Sequence, residues 1–125
     1  MNSDKSKLKI LVVDDSSENR LMFTHFLQDV PVEIDEISTG YGAIEACRRE
    51  EYDYIFLDML MPGLDGIRVM DNIKAMNLTH APVIYAFTAA ASIHEMDQYS
   101  SKGFAGMVPK PFTRETLRMA LKFAE

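Results

Sequence analysis

Short, nearly continuous apolar runs separated by helix-period segments predict a three-layer α/β domain built on a mainly parallel, five-stranded sheet. The runs are Leu8 to Val13, Tyr54 to Leu57 and Val83 to Phe87, and their length suits strands buried on both faces. Five strand patterns alternate with five helix patterns across short gaps, so residues 1–125 read as a single domain, with residues 1–7 as a polar N-terminal tail. Right-handed crossovers place helices on both faces of such a sheet.

The first strand leads into a helical segment from Glu18 to Asp29, where Met22, Phe23, Phe26 and Leu27, and then Val30, recur on one face. Leu21 falls opposite that stripe and is expected to be exposed. Val32-Glu33-Ile34-Asp35 alternates, as a strand with one wetter side at a sheet edge does. Gly40, Ala43, Ile44 and Cys47 mark the second helix, and Gly66, Val69, Met70 and Ile73 the third, after the strand Tyr54 to Leu57. Beyond Val83 to Phe87, the residues Ile93, Met96 and Tyr99 form a weaker fourth stripe. Gly106-Met107-Val108 is a short fifth strand. Thr113, after Pro111-Phe112, is the expected N-cap of a last helix with Leu117, Ala120, Leu121 and Ala124 inward. Most of the nine methionines fall at core spacings.

With 47% apolar and 26% charged residues, the composition excludes a disordered tail, a coiled coil and a collagen-like repeat. A formal charge of −6 and a pI near 5.0 oppose direct contact with nucleic-acid backbones or insertion into anionic membranes. Cys47 has no partner for an internal disulfide and reads as a buried helical hydrophobe. With no apolar stretch long enough for a signal sequence or a span, a cytoplasmic location is expected. His25, His80 and His94 are too scattered in the pattern to form a ligand set.

Ligands of such folds bind beyond the carboxyl ends of the strands. There the sequence places Asp14-Asp15, Asp58, Thr88 and Lys110-Pro111. Singly, an aspartate or threonine before a helix is an N-cap and Lys-Pro a turn. Together they converge on one rim. Carboxylates about 4 Å apart repel by about 1 kcal/mol in water and about 4 kcal/mol near a protein surface. Crowded acids either raise a pKa or take up a hard cation such as Mg²⁺, which favours one or two carboxylates plus a phosphate. A lysine and a hydroxyl add partners for phosphoryl oxygens, so the rim reads as a phosphoryl-transfer site with an aspartate available as nucleophile.

Val12-Val13-Asp14-Asp15, the run Phe56 to Gly66, Thr88-Ala89 and Lys110-Pro111-Phe112 make the sequence resemble the receiver domains of two-component response regulators, including the chemotaxis regulators, over essentially its whole length. The resemblance implies a doubly wound (βα)₅, flavodoxin-like sheet in the order 2-1-3-4-5. It implies Asp58 as the acceptor of a phosphoryl group from the phosphohistidine of a histidine kinase or phosphotransfer domain. By the same likeness Asp15, Asp58 and the Leu60 carbonyl bind Mg²⁺ directly, and Asp14 binds it through water. Lys110 pairs with the phosphoryl oxygens, Thr88 hydrogen-bonds one of them, and Lys110–Pro111 is cis. Such a chain is a phosphorelay switch rather than an enzyme; the only reactions it catalyses are its own phosphorylation and dephosphorylation. A downstream protein is expected on the face formed by the fourth helix, fifth strand and fifth helix.

Met107 departs from the family, which usually carries an aromatic there that turns inward on activation. Leu60 and Ala90, each two residues beyond Asp58 and Thr88, cannot orient a water, so slow self-dephosphorylation is expected. The first helix is a candidate docking surface for a kinase or phosphotransfer domain. No output domain fits within this length; Asn19-Arg20 and Asp58-Met59 resemble receiver segments of hybrid kinases, and a stand-alone regulator is the other option. Two rival readings stay open. One is an aspartate-nucleophile phosphohydrolase attacking through Asp14, although Ser16 stands where that family has a second aspartate. The other is a binding module that keeps the fold without the chemistry.

Overall fold

The computed structural model describes residues 7–89 and 92–122; the tail residues 1–6, Ala90 and Ala124 lie outside them. Five strands, β1 (Leu8–Val13), β2 (Val32–Ile37), β3 (Tyr54–Asp58), β4 (Val83–Thr88) and β5 (Gly106–Pro109), alternate with five helices, α1 (Ser17–Phe26), α2 (Gly40–Arg49), α3 (Gly66–Ala75), α4 (Ile93–Lys102) and α5 (Arg114–Leu121). All pairings are parallel and the order is β2-β1-β3-β4-β5, as expected.

Strand alternation splits the core in two. Ile10, Val12, Phe56, Phe87 and Val108 face α1 and α5, where Phe23, Leu27, Leu117 and Leu121 close a strongly aromatic layer. Leu11, Val13, Ile55, Leu57, Ile84 and Ala86 face the other way and pack on α2 and α3 through Ala43, Cys47, Val69, Met70 and Ile73. Burial pushes the Cys47 thiol up to about 11, so it stays protonated and inert at neutral pH. Tyr85 links the sheet to α5 by donating its hydroxyl proton to the Ala120 carbonyl at 3.0 Å. β2 lies at the sheet edge as expected, but not with one wet side: Glu33 and Glu36, on opposite faces, are in solvent, while Asp35 is half-buried and accepts the Tyr52 hydroxyl proton.

Four further expectations are corrected. The stripe on α4 is not core: no residue of this helix is fully buried, and Ile93 and Met96 are 79% and 47% exposed. Only Tyr99 reaches inward, against Phe104. The helix is held by its ends instead, by a reciprocal Ser92–Glu95 capping box and by Gly103 in the left-handed region. On α1, Met22 is exposed although Phe23 and Leu27 are buried and Phe26 and Val30 pack beside them, so the stripe begins at Phe23. That helix stops at Phe26 rather than Asp29: Leu27, Gln28 and Val30 turn back onto carbonyls three residues earlier, and Pro31 cannot continue a helix. Among the described methionines only Met59, Met61 and Met70 are buried, while Met22, Met96 and Met119 are exposed. Thr113 caps α5 as expected, and Leu21 is 69% exposed.

Candidate functional site at the carboxyl edge of the sheet

The ends of β1, β3, β4 and β5 deliver the parts of the site. After β1, the Asp14 amide still donates to the Ile37 carbonyl at 3.0 Å, so the ladder carries Asp14 to full burial before the chain turns. The N-cap of α1 is Ser16, whose hydroxyl accepts the Asn19 amide. Neither aspartate is therefore spent as a cap. Asp58 closes β3, in register with Phe87 of β4, and is 4% exposed. Gly66 allows the loop behind it to fold this tightly, because a Cβ there would fall 2.6 Å from Met59 Sδ and 3.0 Å from the Asp58 carbonyl oxygen. Thr88 ends β4, half-buried, and its carbonyl accepts the Lys110 amide at 2.9 Å. The Lys110–Pro111 bond is cis.

The side chains of Asp14, Asp15 and Asp58 each place a carboxylate oxygen within 4.8 Å of the others. Lys110 Nζ bridges two of them, 3.1 Å from Asp14 Oδ2 and 3.1 Å from Asp58 Oδ1. The ammonium also lies 6.0 Å from the Phe87 ring centroid. The Leu60 amide donates to Asp58 Oδ1 at 3.1 Å, while the Leu60 side chain is 82% exposed. His80 pairs with Asp53 at the opposite end of β3, away from this rim. Asn19 and Arg20 also belong to the site, although neither is a strand-end residue. Asn19 Nδ2 donates to Asp14 Oδ2 at 3.2 Å and Arg20 to the Asp14 carbonyl at 2.7 Å. Their signal is positional: polar residues on the helix turn that faces the rim.

Three carboxylates face one ammonium, so the site is short of positive charge. Its donors are hard oxygens, which fits a divalent cation of the Mg²⁺ kind better than a soft metal. Burial raises the Asp58 pKa above its ordinary value; the Leu60 amide and Lys110 oppose that shift, and Asp14 adds to it. The native state therefore binds this proton more tightly than the unfolded chain does. Its contribution to stability is complete below about 3.8 and is lost as the pH rises through the higher native pKa. Without metal, the stability of Asp58→Asn relative to wild type should thus be higher at about pH 7 than at about pH 4. Urea titrations in EDTA at both pH values check this, and an equal difference at the two would refute it.

Asp14 is engaged on both carboxylate oxygens and closed to solvent. That argues against Asp14 as an attacking group; of the other two acids, Asp58 is buried against Lys110 and the Leu60 amide, and Asp15 is the exposed one.

Comparison with known proteins agrees with this geometry. Residues 10–122 match the family described as the response regulator receiver domain. The chemotaxis protein CheY-3 of Vibrio cholerae is 34% identical over 116 residues, covering 91% of this chain and 88% of that protein. The sensor protein GacS of Pseudomonas syringae is 30% identical over 92% of this chain, which spans 13% of GacS. Among solved structures, CheY4 of Vibrio cholerae superposes with a TM-score of 0.86 at 28% identity, covering 95% of this chain and 99% of that one. The receiver domain of the Pseudomonas aeruginosa sensor histidine kinase PA1611, solved with a magnesium ion in its active-site cleft, gives 0.81 at 26% identity, with 94% and 96% covered. The chain belongs to the response regulator receiver family. It is a two-component signalling domain that works in phosphorelay, not a conventional enzyme. No helix among the described residues is long and apolar enough to cross a membrane.

Proposed function

We propose that residues 1–125 act as one receiver unit in which Asp58 accepts a phosphoryl group from the phosphohistidine of a sensor kinase or phosphotransfer domain. The observation that carries this reading is the lysine bridge: Lys110 Nζ is 3.1 Å from an oxygen of Asp58 and the same distance from Asp14, on a rim that also holds Asp15. An Asp58 carboxylate oxygen attacks phosphorus, the P–N bond to imidazole breaks, and its electron pair stays on the ring nitrogen. Lys110 is placed to follow the charge onto the transferred oxygens, and Thr88 to donate its hydroxyl proton to one of them. Asp15, Asp58 and the Leu60 carbonyl would hold Mg²⁺ directly and Asp14 would hold it through water. When bound, the cation supplies charge neutralisation for the transferring group. The Leu60 amide restrains the acceptor carboxylate through its hydrogen bond.

New contacts to the phosphoryl group then bias the packing of the domain. The exposed α4 residues Ile93 and Met96 and the half-buried Met107 offer a downstream protein an apolar face on α4-β5-α5. The acidic surface favours protein partners over nucleic acid, in the cytoplasm.

Incubation with acetyl phosphate and Mg²⁺ should add one phosphoryl group to the intact mass of wild type and none to Asp58→Asn. Equal labelling of the two would overturn the assignment. The bare side chains of Leu60 and Ala90 predict a phosphoryl lifetime of minutes or longer, on the order of a hundred times what a chain with a water-orienting group there would show. Mass sampled after removal of the donor measures it, and decay within seconds would refute it.

A further inference from the structure

The carboxylate of Asp14 is held by a closed circuit across the first turn of α1. Its Oδ1 accepts the Ser16 amide proton at 2.9 Å, the Ser16 hydroxyl accepts the Asn19 amide at 3.2 Å, and the Asn19 carboxamide donates back to Asp14 Oδ2 at 3.2 Å. Arg20 anchors the same turn from outside, with its guanidinium on the Asp14 carbonyl at 2.7 Å and its Nε on Glu36 at 3.2 Å. Apart from Asn19, Oδ2 of Asp14 is paired with Lys110, which it shares with Asp58.

That sharing weakens once a divalent cation enters the cluster. If the proposed function holds, and this inference rests on it, a cation held among the three carboxylates repels the Lys110 ammonium and leaves a fully buried Asp14 oxygen without it. A buried acceptor needs a replacement donor already in place. Asn19 is such a donor, and it is neutral: an amide N–H fixes the oxygen without cancelling the charge that draws in a divalent cation. A second lysine at this point would hold the carboxylate equally well and compete with the metal.

We propose that Asn19 is a positioning residue, which sets the affinity of the site for Mg²⁺ by keeping the Asp14 carboxylate oriented when Lys110 is pushed away.

Calorimetric titration of Mg²⁺ into unphosphorylated Asn19→Ala tests this, at a temperature where variant and wild type are both folded. The dissociation constant should be about tenfold weaker than in wild type, the low end of the loss seen for a direct ligand's hydrogen-bond partner, since Asp14 reaches the cation through water. Self-labelling of Asp58 from acetyl phosphate should likewise need about tenfold more Mg²⁺ for half-maximal rate, while the rate at saturating Mg²⁺ stays within about threefold. A helix-stabilising role alone would lower the thermal midpoint in EDTA and leave the Mg²⁺ constant in place. A constant within about threefold of wild type overturns the assignment, whatever the midpoint does. Failure of wild type to label Asp58 at all overturns the reading of function, and this inference with it.

Discussion

Lys110→Met should slow Asp58 phosphorylation by about 10²–10³-fold at saturating donor and Mg²⁺, the scale of removing one pre-aimed donor from a developing oxyanion. Methionine keeps the length and apolar stem of lysine but has no charge, so packing beside Phe87 is preserved and the ammonium is the main loss. The same change leaves two neighbouring buried carboxylates, Asp14 and Asp58, without their shared cation. In metal-free buffer the variant should lose about 1–3 kcal/mol of stability, less than for a fully buried pair because Lys110 keeps 20% of its side-chain surface in solvent. Mg²⁺ should restore much of that loss and bind the variant more tightly than wild type, because a competing cation has gone. Mass-resolved time courses and urea titrations with and without Mg²⁺ read the two effects separately. A labelling rate within about tenfold of wild type would mean that the charge on phosphorus is met elsewhere.

The two effects of Lys110 reflect how the fold and the chemistry share residues, and they also mark what could be read in the chain before its structure. Apolar runs such as Ile10 to Val13 and Ile55 to Leu57 are legible because strands buried on both faces must be apolar throughout, and the acids that follow them stand out for that reason. Order across the sheet is different. Nothing in the runs themselves distinguishes 2-1-3-4-5 from other windings, and only family likeness supplied it. On α4, the spacing of Ile93, Met96 and Tyr99 is that of a buried face, yet two of the three point to solvent. Periodicity reports an amphipathic helix without saying whether this chain or a partner covers it. Asn19 and Arg20 stood out only as a family likeness, and their contacts with Asp14 stayed hidden for another reason. Their partners are an oxygen of Asp14 and its carbonyl, reached across a helix turn whose cap, Ser16, had to be known first.

Phe56→Ala should cost about 3–5 kcal/mol, a large share of the roughly 5–15 kcal/mol that holds a domain folded. Phe56 is fully buried in β3, two residues before Asp58, with its ring 5.1 Å from Phe23 and 5.5 Å from both Tyr85 and Phe87. Truncation removes the transfer free energy of the ring and opens a cavity whose walls belong to β4 and α1 and cannot all collapse inward. The thermal midpoint should fall by about 10–20 °C for a domain of this size. Phe56→Leu refills most of the space and should recover more than half of the loss. The cavity also reaches the site, since Phe87 forms both its wall and the surface beneath the Lys110 ammonium. Phosphorylation of Phe56→Ala, measured well below its melting range, should therefore be slower than wild type, with Phe56→Leu in between. A midpoint within a few degrees of wild type would show that the aromatic layer is not what supports the carboxyl edge.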